Sequence, residues 1–339
     1  MTITLRVAVF VVGPFCYALL NILSQLAREP DGSYPFSMPS VVLLAELIKL
    51  CLSVVFLSRE LGCGQKAGVA HSVVASVASQ PSRWLLFSVP SVLYAVNNNL
   101  DMLINMYMDA ATASVMTQMK ILTTAIAWRC VFASTLGHRK WISLVLLFCG
   151  CALAALPNDE EGKDSSTMYI EPLGIVLALV YSLISAAASV YNEWLYKTIG
   201  SDESIHISNI RIYTIGFLFC WSGHVSTAKG NPLSPGYSAG LYSGLVAGYN
   251  VYTWGLVATY ALMGLIIAQV MKYFDNIVKL FISGSSMYAS ALLTVLIFER
   301  YPSPLFALSL ACLTVAQVGY NWEKVPTSCG TEPSSNSAS

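Results

Sequence analysis

Two lysines, Lys120 and Lys279, each lie inside a long apolar stretch of the chain, at corresponding positions in its two halves. An ammonium group is costly to place in hydrocarbon, so a lysine at such a position is a candidate functional residue. Similar sequences follow both, namely Lys120-Ile-Leu-Thr-Thr and Lys279-Leu-Phe-Ile-Ser. The pair indicates a duplicated membrane bundle that holds an anion at its centre, and hence a transporter.

Other polar side chains recur at helical spacing within the apolar stretches. Tyr94, Asn98 and Asp101 fall at i, i+4 and i+7, so one helix face carries a phenol, an amide and a carboxylate. An amide offers the donor and acceptor pair that reading a nucleobase edge requires. Thr117 precedes Lys120 by three residues, and a hydroxyl beside an ammonium suits a phosphate group.

Two more stretches carry candidate ligands for such a substrate. Asn209 and Tyr213 lie four residues apart, and Ser189 offers a hydroxyl in another stretch. Glu46 and Lys49 are three residues apart and can neutralise each other on a helix surface. Both interpretations of that pair, a structural ion pair and a functional one, stay open. For any single polar group, bridging between helices is the main alternative to substrate binding.

Three charged residues are expected near the membrane boundary instead. Arg211 should point away from the face that carries Asn209 and Tyr213. Lys272 and Asp275 are three residues apart and are expected to pair there.

Composition identifies the elements that must position these groups. Of 339 residues, 55% are hydrophobic and 11% charged, against about a quarter charged in a typical soluble domain. Apolar stretches long enough to cross a bilayer recur along the whole chain. We predict an all-α integral membrane protein with ten spans, at about 4–27, 37–58, 84–106, 110–133, 140–157, 169–197, 206–226, 244–271, 275–298 and 302–322.

The most polar internal stretch, 157–168, divides these spans into five and five. Because a repeat with an odd number of spans must insert its second copy upside down, we predict two inverted repeats, about 1–157 and 169–322, within a transporter domain 1–322. The segment 323–339 is predicted to be a disordered cytosolic tail. Basic residues collect on the side that holds both termini, which places both termini in the cytosol.

Several function classes find no support in the residues. The net charge is zero, which does not favour nucleic-acid binding. The cysteines and histidines have no metal-ligand spacing, and we expect neither a metal nor a cofactor. No grouping of nucleophile, base and orienting residue indicates a catalytic site, so we predict that the protein is not an enzyme.

The polar stretches resemble a known family, the nucleotide-sugar transporters of the drug/metabolite transporter superfamily, and within it the CMP-sialic acid transporter group. The matching segments follow the family's order over nearly the whole chain: Glu46-Leu-Ile-Lys49, Tyr94-Ala-Val-Asn97-Asn98-Asn99, Gln118-Met-Lys120-Ile, Val190-Tyr-Asn-Glu193, Asn209-Ile-Arg-Ile-Tyr213 and Val270-Met-Lys272-Tyr-Phe-Asp275-Asn276-Ile-Val-Lys279.

The resemblance implies a multi-pass Golgi antiporter that exchanges a cytosolic CMP-sugar, such as CMP-sialic acid, for luminal CMP by alternating access. It implies that Lys120, Lys279 and Tyr213 surround the phosphate, and that Lys49, Tyr94, Asn98 and Asn209 lie near the nucleoside. The family often has Tyr-Gln-Leu-Lys where this chain has Thr117-Gln118-Met119-Lys120. That difference leaves the identity of the sugar open.

The alternatives are a UDP-sugar transporter of the same family and a small-metabolite exporter of the same superfamily. A membrane scaffold is a further alternative, but it would not need two lysines in its core. The expected partners are a nucleotide-sugar, a nucleoside monophosphate (CMP foremost) and the lipid bilayer. The sequence leaves a homodimer open.

Overall fold

The structure, a computed structural model, describes residues 3–27, 34–62, 77, 80–107, 110–133, 136–154, 171–230, 245–298 and 304–321. Within these residues the fold is all-helical and contains no β-strand. The helices are α1 (Ile3–Leu26), α2 (Met38–Gly62), α3 (Pro81–Tyr107), α4 (Ala110–Thr117), α5 (Lys120–Phe132), α6 (His138–Ala154), α7 (Pro172–Trp194), α8 (Ile205–Gly230), α9 (Val251–Tyr273), α10 (Asn276–Phe298) and α11 (Pro304–Asn321). A π-helical turn, Leu195–Ile199, extends α7.

Every apolar stretch identified in the sequence overlaps one of these helices, with two differences. The fourth stretch is broken, because α4 ends at Thr117 and α5 begins at Lys120. The eighth begins later than predicted, since the Asn250 side chain accepts a hydrogen bond from the Thr253 backbone N–H and so caps α9. The predicted tail 323–339 lies outside the described residues.

Three of the described helical segments combine the length and the apolar composition needed to cross a bilayer, namely Pro39–Gly62, Pro172–Ile199 and Val251–Tyr273. Two shorter helical segments, Val9–Ser24 and Pro304–Tyr320, are also apolar. Many large apolar side chains on the outer helix faces are exposed, for example Leu183, Leu296 and Val251. Apolar outer faces of this kind suit a lipid environment.

Helix packing brings together elements that are far apart in sequence. The most extensive contacts are α6 with α11, α2 with α8, α3 with α7, α1 with α10, and α5 with α7. Helix α9 packs on both α1 and α2, and α3 packs on α8. The two halves of the chain are therefore interleaved, and the polar residues of different helices can meet in the middle of the bundle.

Candidate substrate-binding cavity

A cavity of about 410 Å³ lies between helices from both halves of the chain. Its volume is within the range of small-molecule sites. The side chains that line it come from α1, α2, α3, α7 with its π-helical turn, α8, α9 and α10: Tyr17, Val42, Glu46, Lys49, Ser91, Tyr94, Asn192, Tyr196, Ile212, Tyr213, Gly216, Phe219, Cys220, Gly264, Ile267, Ala268 and Lys279. Four of the predicted site residues, Lys49, Tyr94, Tyr213 and Lys279, are among them.

In the cavity, Lys49 and Glu46 neutralise each other. Lys49 is buried, and its Nζ donates to Glu46 Oε1 at 2.5 Å within the same helix. The ammonium also lies 4.6 Å from the centre of the Tyr213 ring, a cation–π contact. Two glycines leave room for the pair: a Cβ on Gly264 would overlap the Lys49 side chain, and one on Gly216 would lie 3.0 Å from Glu46 Oε2.

The second lysine of the cavity is not neutralised in this way. Within the described residues, the Lys279 ammonium makes no ion pair and no hydrogen bond. The Lys120 charge repels it and the Glu193 carboxylate attracts it. With Glu46 negative and Lys49 and Lys279 positive, the charged side chains that line the cavity within the described residues sum to one positive charge. An anion is the complementary ligand.

Asp275, which precedes Lys279 by four residues, is engaged elsewhere. Asp275 lies just before α10, where its Oδ1 accepts from the Val278 backbone N–H at 2.8 Å. The predicted pairing of Lys272 with Asp275 is therefore wrong. Lys272 Nζ donates instead to the carbonyl oxygens of Gly200, at 3.1 Å, and Glu203, at 2.6 Å.

Lys120 lies at the break between α4 and α5 and is not part of the cavity lining. Its ammonium is 6.0 Å from the centre of the Tyr181 ring. It follows the start of α4 by ten residues, whereas Lys279 follows the start of α10 by three. The sequence suggests that the two lysines occupy corresponding positions in the two halves. Counted from the helix starts, their positions differ. Thr117, the last residue of α4, also lies outside the lining.

Ser189 and Asn209 were predicted to contact substrate, but the structure places both outside the cavity lining. Ser189 Oγ accepts from Asn276 Nδ2 at 2.9 Å, and Asn209 Oδ1 accepts from the Tyr196 hydroxyl at 2.7 Å. Their polar atoms join helices to one another. The side chains of Asn98 and Asp101 lie outside the described part of the structure.

The segment 200–204 closes the bundle at the end where α8 begins. Arg211 is fully buried, and its Nη1 donates to Glu203 Oε1 at 2.5 Å. Arg83 pairs with Glu203 at 3.1 Å and with Asp202 at 3.0 Å. Ser204 Oγ donates to Glu60 Oε2 at 2.5 Å. The segment is thus joined to α2, α3, α8 and, through Lys272, α9.

Arg211 belongs to this ion cluster at the helix ends and does not line the cavity with Tyr213. Its place at the membrane boundary stays a prediction. Its guanidinium stacks 5.6 Å from the centre of the Phe87 ring. Phe87 in turn contacts Tyr196, which lines the cavity. Buried groups therefore separate the cavity from this end. At the surface, hydrogen bonds from Arg83 hold the pKa of the Asp202 carboxyl below its usual value.

Comparison with known proteins covers nearly the whole chain. The family model of the nucleotide-sugar transporter matches residues 1–321. The chain belongs to the nucleotide-sugar transporter family. This family consists of transporters rather than enzymes, and the protein is a multi-pass membrane protein with nucleotide-sugar substrates.

Individual relatives within this family differ in their named substrates. The chain is 30% identical to the probable UDP-sugar transporter protein SLC35A4 of Xenopus tropicalis, over 86% of this chain and 84% of that protein. It is 28% identical to CMP-sialic acid transporter 1 of Arabidopsis thaliana, over 84% and 80%. It is 31% identical to the UDP-N-acetylglucosamine transporter of Mus musculus, over 89% and 90%.

One solved crystal structure of a protein aligns with this chain at a TM-score of 0.62, covering 93% of this chain and 96% of the other. The two sequences are 12% identical. The likeness at that identity concerns the fold alone.

The lining residues of this transporter that were not predicted from the sequence include Tyr17, Asn192 and Tyr196. Asn192 is mostly buried, and its Oδ1 has no hydrogen-bond partner within the described residues. The available sequence signal for Asn192 was its polar side chain, next to Glu193, within an apolar stretch. Tyr17 offered no such signal, because a tyrosine in a first apolar helix is common at membrane interfaces.

Proposed function

We propose that the protein is a Golgi antiporter that exchanges a cytosolic CMP-sugar, such as CMP-sialic acid, for luminal CMP. The observation that carries this proposal is the Lys279 ammonium, which lines the cavity without an ion-pair partner among the described residues. A phosphate would supply both the missing charge and the missing hydrogen-bond acceptors. In the low dielectric of a membrane bundle that interaction is strengthened.

The remaining cavity residues suit the rest of a nucleotide. Tyr94 and Tyr213 provide aromatic rings from two helices, and Asn192 provides an amide. Lys49 and Tyr213 keep the roles that the family resemblance implies, near the nucleoside and the phosphate. Lys120 contributes positive potential from beyond the lining, since its charge acts on Lys279. Five further residues remain proposed contributors to substrate binding: Asn98, Asp101, Thr117, Ser189 and Asn209.

Helix packing supports the proposed pair of inverted five-span repeats. If each helix is replaced by the one five spans later, the contact of α3 with α7 becomes that of α9 with α1, and both contacts exist. The contact of α1 with α10 becomes that of α7 with α5, and α2 with α9 becomes α8 with α3. The pairs α2 with α8 and α6 with α11 map onto themselves. This is the pattern expected of a twofold axis that relates two repeats.

The distribution of basic residues puts both termini and the 200–204 segment on the cytosolic side. In that topology the ion cluster of Arg83, Glu203 and Arg211 closes the cytosolic end of the cavity. Alternating access then requires these ion pairs to separate while contacts at the luminal end form. This assignment gives the closed end a role in transport in addition to its role in stability.

The charge of Lys279 also favours exchange over one-way transport. An empty cavity leaves the Lys279 ammonium buried without a counter-ion whenever both ends are closed, and that costs free energy. A bound nucleotide removes the cost, so loaded protein converts between its two orientations faster than empty protein. The expected result is coupled exchange rather than one-way transport.

A UDP-sugar transporter of the same family is the second candidate. It is favoured by the relatives named as transporters of UDP-sugars, in Xenopus tropicalis and in Mus musculus. In that case UMP takes the place of CMP in the same cavity, with Lys279 in the same role.

A thermal-stability screen of the purified protein against CMP, UMP, GMP and AMP tests the proposal. Ligand binding stabilises the folded state by about RT ln(1 + [L]/Kd), so a Kd of about 10 μM gives a visible shift at 1 mM nucleotide. A shift with CMP above the others supports the CMP-sugar assignment, and a shift with UMP transfers it to the second candidate. If no nucleotide shifts the melting temperature, neither candidate stands. Uptake of labelled CMP into vesicles with and without internal CMP then measures the coupling.

A further inference from the structure

Glu193 on α7 is a fully buried carboxylate that no part of the proposed transport cycle uses. Its Oε1 accepts hydrogen bonds from Trp128 Nε1 at 3.1 Å and from Lys197 Nζ at 2.6 Å. Its Oε2 accepts from the Asn276 backbone N–H at 2.8 Å. A carboxylate has about four acceptor positions, and donors from three separate elements thus occupy most of them.

Lys279 lies one turn after Asn276 on α10, so Glu193 is bound to the same helix end that carries the cavity lysine. The Glu193 charge attracts the Lys279 ammonium. Opposite charges in the low dielectric of the bundle gain by pairing, and Glu193 is fully buried. If Glu193 lacked its other partners, it would compete with a substrate phosphate for Lys279.

Lys197 is the cationic partner that prevents this competition. It follows Glu193 by four residues on the π-helical turn, and about a third of its side chain is exposed. Its ammonium also lies 5.7 Å from the centre of the Phe132 ring. Lys197 therefore supplies Glu193 with a counter-charge from outside the cavity lining.

We propose that Lys197, by pairing with Glu193, keeps the Lys279 ammonium available for the phosphate of the substrate. Lys197 is a positioning residue, since it acts through Glu193 and does not line the cavity. The inference rests on the proposed function, because it assumes that Lys279 binds phosphate. It gives Glu193 and Lys197 a role beside the binding lysine: Glu193 is the anion for Lys197, and the anion for Lys279 is the substrate.

Binding of nucleotides and nucleosides to matched variants of the full-length protein tests this inference. The variants are Lys197→Met, Glu193→Gln, the double variant, and Lys140→Met as a control lysine outside the cavity lining. The ligands are CMP and UMP, which carry a phosphate, and cytidine and uridine, which do not. An added or removed opposite charge nearby shifts ionic equilibria by about tenfold or more. We expect Lys197→Met to weaken nucleotide binding by about that factor.

Two further results distinguish this role from a loss of structure. Nucleoside binding should change by no more than about twofold in Lys197→Met, because nucleosides carry no charge for Lys279 to bind. Adding Glu193→Gln to Lys197→Met should restore most of the nucleotide affinity, because the competing charge is gone. If methionine at position 197 lowers the yield of folded protein, Lys197→Gln retains a hydrogen-bond donor without the charge and should give the same series.

Two outcomes would overturn the inference alone: nucleotide affinity unchanged in Lys197→Met, or a double variant that binds no better than Lys197→Met. Wild-type protein that binds no nucleotide would overturn the proposed function and this inference with it. The Lys140→Met control should bind as the wild type does, so a loss there would mean that any lysine substitution lowers affinity.

Discussion

Lys49 and Lys279 line the same cavity from two apolar helices, yet among the described residues only Lys49 has an acidic ion-pair partner. Glu46 precedes Lys49 by one turn within α2, so both side chains leave the same face of a continuous helix. Asp275 precedes Lys279 by four residues, a spacing at least as favourable within a helix. Asp275, however, lies before α10 begins and caps it. An acid followed by a lysine about one turn later thus gives an ion pair in α2 but none among the described residues at Lys279, according to where the helix starts.

This difference predicts that substrate binding depends more on Lys279 than on Lys49. Lys279→Ala should weaken CMP binding by at least about 100-fold, because truncating one partner of a buried charge pair costs several kcal/mol, and exchange should be abolished. Binding and vesicle uptake measure both effects, with Lys140→Ala as the control. Exchange at the wild-type rate in Lys279→Ala would remove the distinction between the two lysines.

Breaking the Lys49–Glu46 ion pair should lower the stability of the protein more than its affinity for the nucleotide. Glu46→Gln leaves the mostly buried Lys49 ammonium without its counter-ion, at a cost of about 1–3 kcal/mol. The melting temperature without ligand should fall, and the double variant Glu46→Gln/Lys49→Met should recover most of the loss. A double variant as unstable as Glu46→Gln would show that the pair is not the source of the effect.

Gly264, one of the two glycines beside the Lys49–Glu46 pair, allows a milder test. A Cβ on Gly264 would overlap the Lys49 side chain, so Gly264→Ala must displace the ammonium from Glu46 at a cost of about 1 kcal/mol. Gly223→Ala in α8 is a matched control, since its Cβ would meet nothing within 4 Å. Thermal unfolding of the two variants should differ in that direction. Equal melting temperatures would indicate that Lys49 has room to move.

The sequence was sufficient for the helices and for the lysines, because both follow from local composition. Apolar stretches predict helices, and a lysine within one is rare enough to identify. Partner choice was not predictable: Ser189 and Asn209 have the residue types of ligands, but their partners, Asn276 and Tyr196, are fixed by packing between distant parts of the chain. The break before Lys120 was also missed, since Thr117-Gln118-Met119 contains neither glycine nor proline.

The smallest expected effect tests the explanation for Lys279 itself. Asparagine caps a helix about as well as aspartate does, so Asp275→Asn should retain the hydrogen bond to the Val278 N–H while removing the charge. CMP affinity and melting temperature should both stay close to the wild-type values, because Asp275 acts as a cap and not as a counter-ion. Asp275→Ala, which removes the cap, should lower the melting temperature. Tighter CMP binding in Asp275→Asn alone would mean that Asp275 competes with the substrate for Lys279, and the two lysines would then differ in degree rather than in kind.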